Sequence, residues 1–193
     1  MRASVPGLVA VIAASSMLMM PLQITAQQHV NPSAVALAEF TKRVQAYIDL
    51  QNAQASALPA AKPTTNPNDV IAREKMLAER LTIARAGAKQ GDIFVPESVA
   101  VFKQVFAAYY QRRTGREKRL VFDEVPHFTP RVNMVYPVSA PKATFPPRLA
   151  LTLPQLPDKL EYRIVSNDLI LRDTEANIVV DFIPGMLPAS DKS

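Results

Sequence analysis

The chain has 193 residues, a formal charge of +5, no Cys, no Trp, 17 Pro and only 5 Gly. The lack of Cys excludes both a disulfide framework and a lipidated cysteine anchor, so the chain must hold itself together by packing alone. Its modest positive charge permits contact with an anionic surface without demanding it.

Residues 1–26 read as a signal peptide. Met1 and Arg2 give a positive start, Leu8 to Met20 is apolar or small, and Ile24-Thr25-Ala26 ends in the small residue that a signal peptidase requires. Cleavage after Ala26 is expected, which places the mature chain in the periplasm or outside the cell and removes one positive charge, Arg2. Pro21 and Gln23 interrupt the apolar stretch, which could barely cross about 30 Å of hydrocarbon, so no integral membrane span is expected after cleavage.

Residues 27–119 are expected to form a helical region of three helices. Asn31-Pro32 supplies a cap and a first helical residue, and Leu37, Phe40, Val44, Tyr47 and Ile48 follow at helical spacing until Pro59 and Pro63. A second start at Asn66-Pro67, with Asp69 at the positive end of the dipole, leads into Val70, Leu77, Leu81 and Ala84, with Gly87 and Gly91 closing it. The third helix opens near Pro96-Glu97 and carries Val99, Phe102, Val105, Phe106 and Tyr109, the most aromatic stripe in the chain. A stripe of that spacing is core far more often than a ligand groove. The three helices together predict a small bundle.

QRRTGREKR follows at once, with five cations in eight residues: Arg112, Arg113, Arg116, Lys118 and Arg119. One reading is a helix C-terminus whose cations suit the negative end of the dipole and whose Gly115 ends it. The other is a surface for phosphate or carboxylate polymers, bound by counterion release. A nucleic-acid surface would interleave aromatic residues for stacking, and this run has none.

Residues 120–157 form a Pro-rich connector. Eight prolines fall between Pro126 and Pro157, which predicts extended chain across the surface, without helix, and strands only at an edge. RLALTL, residues 148–153, alternates like one such strand. A recognition arm for a partner is the other reading of this segment.

Residues 158–188 predict an antiparallel β-meander, with 189–193 as a tail. If Ser166-Asn167 make a two-residue turn, Ile164 faces Leu169, Tyr162 faces Leu171 and Glu161 faces Arg172. With Thr174 to Asn177 as the next turn, Leu171 faces Val180 and Leu169 faces Phe182. One face is then apolar, and Asp181 lies on the outer face near Arg163. This register scatters Asp168, Asp173, Glu175 and Asp181, whereas paired catalytic carboxylates must converge on a substrate. Asp173-x-Glu175-x-Asn177 resembles half a calcium loop, but Ile178 and Pro184 stand where Gly and the bidentate Glu belong. There is no HExxH, no G-x-S-x-G and no phosphate loop, and His29 and His127 have no evident catalytic companions.

RAGAKQGDIFVPE, residues 85–97, and LPDKLEYRIVSNDLILRDTEANIVVDFIP, residues 156–184, together resemble a group of uncharacterised small secreted bacterial proteins. In that group the first stretch sits between helices and the second closes the chain, and no activity or site attaches to it. Val95 stands where the resemblance calls for Thr, which puts the cap of the third helix in doubt. The closing stretch is also distantly similar to the C-terminal meander of periplasmic nickel and cobalt homeostasis proteins of the RcnB type, with no metal ligands carried over.

The sequence therefore predicts an exported α+β protein that is non-catalytic and holds no cofactor. Its expected role is an envelope interaction or accessory module that offers a basic patch and a sheet edge to an envelope protein or anionic envelope polymer. A periplasmic metal or stress accessory protein is the alternative, argued from the meander alone.

Overall fold

The computed structural model describes residues 31–60, 65–117, 124–140 and 145–187. The signal peptide and its cleavage site, Lys118 and Arg119, residues 120–123 of the connector and the 189–193 tail lie outside the described residues. The fold is α+β: three substantial helices, α1 (Pro32–Ser56), α2 (Pro67–Ala84) and α3 (Pro96–Gln111), precede strands β1 (Leu160–Val165), β2 (Asp168–Asp173) and β3 (Ile178–Ile183) in one antiparallel sheet ordered β1-β2-β3.

Each helix begins where its sequence signal predicts. The Asn31 side chain accepts from the Ser33 amide at 3.0 Å, the Asn66 side chain from the Asn68 amide at 3.1 Å, and Pro follows each cap at the position whose amide has no helical partner. α3 starts after Val95 with no side-chain cap; Ser98 instead donates its hydroxyl to the Val95 carbonyl at 2.9 Å.

α1 packs against both α3 and α2, and the helices share their core with the sheet. α3 packs chiefly on α1, and the meander completes the core. Phe40, Phe94 and Phe102 form a ring cluster with centroids 5.1 to 5.3 Å apart, and Tyr162 of β1 joins it 5.9 Å from Phe102. Leu160, Ile164, Leu169 and Leu171 extend this core across the helix-facing side of the sheet. α2 lies against α1 and the β2–β3 turn, with Leu77, Ala78 and Leu81 packed with Ala176 and Ile178 and with Leu50 and Ala55 beside them. On α3 the buried aromatic residues are Phe102, Phe106 and Tyr110, so Tyr109 is turned to the side. Val70, expected on the apolar stripe of α2, is exposed.

The first hairpin has the expected register, with Ile164 opposite Leu169, Tyr162 opposite Leu171 and Glu161 opposite Arg172. Ser166 takes a left-handed φ of 51° in its turn. The second does not. Arg172 faces Val179 but Leu171 faces Asp181, so Val180 is the extra residue of a bulge and Leu169 faces Ile183 rather than Phe182. A one-residue slip reverses every side chain beyond it. Asp181 consequently faces the helices and is fully buried, while Phe182 turns to the other face.

That other face is covered as well. Tyr136 packs with Val165, Ile170 and Val179, with Phe128 and Met134 beside them, so the connector runs under the sheet rather than over the surface. It also occupies the outer edge of β3. The Val179 amide donates to the Met134 carbonyl at 2.9 Å, the Tyr136 amide to the Asn177 carbonyl at 2.7 Å, and Val135 bridges Ile178. The sheet edge expected to be offered to a partner is therefore taken by the chain itself along this stretch.

RLALTL is not a strand. Pro147–Ala150 is a short helical turn, with Pro146 extended before it and Pro147 in its first position, where a missing amide costs nothing. Leu149 and Leu153, four apart, are both buried.

Candidate functional site

The acidic residues of the meander are the densest chemistry in the fold. Asp181 accepts from the Gly91 amide at 2.9 Å and from the Ile93 and Phe94 amides at 2.8 Å each. The loop before α3 forms this cradle because Gly91 takes φ 90°, which turns its amide inward beside the next ones. A cradle of amides is the usual receptor for a bound anion; here the anion is the chain's own carboxylate. Residues 85–97 and 156–184, far apart in the chain, are thus in direct contact.

Arg85 completes the junction. Its guanidinium lies 5.0 Å over the Tyr47 ring and donates to the Asn133 side chain at 2.6 Å and to the Val180 carbonyl at 2.9 Å. Tyr47 donates its hydroxyl to Asp173 at 2.7 Å, and Asp173 also accepts from the Glu175 and Ala176 amides at 2.8 and 2.7 Å. Burial pushes the Asp173 carboxyl above its ordinary range in spite of these bonds, and burial and the neighbouring Asp173 together push the Tyr47 hydroxyl far above its own. Tyr47 is therefore a fixed donor.

The remaining carboxylates are also spoken for. Asp168 accepts from the Gly185 amide at 2.9 Å, and Glu175 pairs with Lys159 at 3.2 Å and accepts from Gln51 at 2.6 Å. Glu161 is held by Arg163 and Arg172; burial alone would raise its carboxyl, but the two guanidiniums outweigh it and hold it low. Asn177, the third position of the would-be calcium loop, gives its oxygen to Arg172. Among the described residues no three His, Cys, Asp or Glu side chains are grouped to hold a metal ion. His127 is exposed in the connector.

The basic run is arranged differently. α3 ends at Gln111, and Thr114, not Gly115, governs the turn beyond it. The Thr114 amide and hydroxyl donate to Glu117 at 2.8 and 2.9 Å, and the Glu117 amide donates back to the Thr114 hydroxyl at 3.3 Å. This is a capping box, so Gly115 begins a helical stretch instead of ending one. The bonds from Thr114, with Arg113 beside it, hold the Glu117 carboxyl below its ordinary value. The signal, Thr-x-x-Glu at 114–117, is plain in the sequence, but the crowd of cations obscures it.

Arg113 is committed internally. It stacks 4.4 Å from the Tyr109 ring centre, donates to the Tyr109 hydroxyl at 2.7 Å and pairs with Glu117 at 3.4 Å. Arg112 is not: it lines an open cleft of about 440 Å³ between the end of α3 and the 147–150 turn. Arg148, which lies far outside the basic run in sequence, lines the same cleft from the other side, with Thr152 next to it. Val105, Ala108 and Tyr109 form the apolar floor. Neither Arg112 nor Arg148 has an acidic partner among the described residues. Arg116 is exposed nearby.

A larger hollow of about 780 Å³ lies between α2 and the β2–β3 turn, but its charged groups are bonded within the fold. Arg73 donates to the Pro59 carbonyl at 2.6 Å, Lys159 pairs with Glu175, and Glu74 accepts from Asn177 at 2.9 Å. No helix among the described residues is long and apolar enough to cross a membrane. Comparison with protein families, with curated proteins and with solved structures finds no match to this chain.

Proposed function

We propose that this chain is an exported, non-catalytic interaction or accessory module of the cell envelope, and that it holds an anionic partner at the cleft between α3 and the 147–150 turn. The observation that carries this reading is the convergence of Arg112 and Arg148 on one open hollow, without acidic partners among the described residues. Export is supported by the leader-like pattern of residues 1–26 and by the resemblance to small secreted bacterial proteins. The meander's carboxylates support no hydrolytic reading, since each is already bonded within the fold.

The test is retention on isolated envelope material at rising salt. The natural chain is expected to be held at low salt and released as exposed charges are screened. R112Q/R116Q/R148Q is expected to pass through without retention. Equal retention of both proteins would make these arginines an ordinary solvated surface. The metal-accessory alternative rests on the meander resemblance alone, and calorimetric titration with nickel, cobalt and calcium decides it.

A further inference from the structure

Resting on the reading of the Arg112 cleft as an anion-binding surface, we infer that it takes the phosphate headgroup of an anionic phospholipid at a membrane surface. Among the described residues Arg112, Arg113 and Arg148 meet one carboxylate, Glu117, in this cleft, which leaves two positive charges in excess. Glu117 is saturated by Thr114 and Arg113, so it neutralises Arg113 and leaves Arg112 and Arg148 to the ligand. Two guanidiniums reaching into one hollow from separate elements suit a compact, multi-oxygen anion such as a phosphodiester, which their planar forks can grip. A long acidic polymer would be served better by cations in a row.

The floor narrows the ligand further. Val105, Ala108 and the Tyr109 ring give a hydrated sugar acid or a free inorganic anion nothing to gain, whereas the glycerol and first methylenes of a lipid bury apolar surface there. The cavity of about 440 Å³ is within the size range of small-molecule sites. Leu151 adds an independent sign. It lies between Arg148 and Thr152, both of which line the cleft, and is 86% exposed. One exposed Leu is unremarkable by itself. Beside a cationic hollow it supplies the apolar member of the cation-and-apolar pair by which proteins sit at a lipid interface.

The experiment is co-sedimentation of the purified protein with vesicles of phosphatidylcholine alone or mixed with phosphatidylglycerol. Binding is expected only to the mixed vesicles, weakened about thirty-fold by R112Q/R148Q, at roughly fivefold for each cation near the surface. L151S is expected to weaken it about five- to tenfold. K42Q/R131Q, with the same loss of charge away from the cleft, is expected to change binding less than about threefold. Equal binding to neutral vesicles, or unchanged binding of R112Q/R148Q, overturns the inference. If the natural chain ignores both vesicle types while envelope material still retains it through Arg112 and Arg148, the lipid assignment falls and the anionic-partner reading stands.

Discussion

Two charged regions look alike in the sequence and behave oppositely in the fold. The meander carries Asp168, Asp173, Glu175 and Asp181 among its strands, and the run after α3 carries Arg112, Arg113 and Arg116. Asp173 and Asp181 are turned inward, where Tyr47 and backbone amides bond them and fasten the sheet to the helices, while Asp168 and Glu175 lie nearer the surface and are bonded there by the Gly185 amide and by Lys159. Among the described residues Arg113 is the member of the basic set that is fastened, and Arg112 opens onto a cleft. The difference teaches where to look for function: a buried charge whose every bond is internal is a structural tie, and an exposed one with no partner is available for binding.

Substitutions separate the two regions. The largest effect is expected at Asp181. Asp181→Ala leaves the Gly91, Ile93 and Phe94 amides without their acceptor and should cost about 3–5 kcal/mol, comparable with the whole stability of a small fold. Urea unfolding checks this, and a loss below about 1 kcal/mol would mean that water serves these amides equally well. Tyr47→Phe keeps the ring under Arg85 but removes the bond to Asp173, for an expected cost of about 1.5–3 kcal/mol.

A pH series sharpens the same comparison within the acidic set. The Asp173 carboxyl is raised in the fold, so its stabilising contribution is complete below the unfolded value and lost as pH rises through the folded one. The Glu161 carboxyl is lowered, so its contribution is complete above the unfolded value and lost as pH falls through the folded one. Measured against the natural chain by urea unfolding from acid to neutral pH, Asp173→Asn should become relatively more stable and Glu161→Gln relatively less. Parallel curves would contradict both assignments. The smallest effect belongs to the basic cleft: R112Q/R148Q should change the unfolding free energy by less than about 0.5 kcal/mol, as for other exposed substitutions.

Local signals were legible and distant ones were not. Asn-Pro at 31–32 and 66–67 announced both helices, and charge matching of Glu161 with Arg172 set the first hairpin, because caps and two-residue turns are decided by neighbours. The second hairpin departs from expectation at one residue. The apolar run Ile178-Val179-Val180 carries no Gly or other residue that marks a bulge, and the bulge is favoured by an amide cradle some 90 residues away in sequence. The Pro-rich connector departs from expectation for a related reason. Proline forbids helix interiors but suits helix starts, and which rule applies to Pro147 depends on the buried site that receives Leu149. For the candidate site, Arg112 and Arg113 were visible as a cluster, but nothing local brings Arg148 to them.

The cradle around Asp181 also bears on how the chain matures. Its amides are made 87 to 90 residues ahead of the carboxylate that fills them. A polypeptide emerging from its N-terminal end thus has the residues of all three helices in hand before the acceptor of these amides exists. Contacts of such wide separation close late. Until the meander follows, the Gly91, Ile93 and Phe94 amides lack the acceptor they have in the fold, so the helical part and the sheet can be joined at this point only once Asp181 has been made.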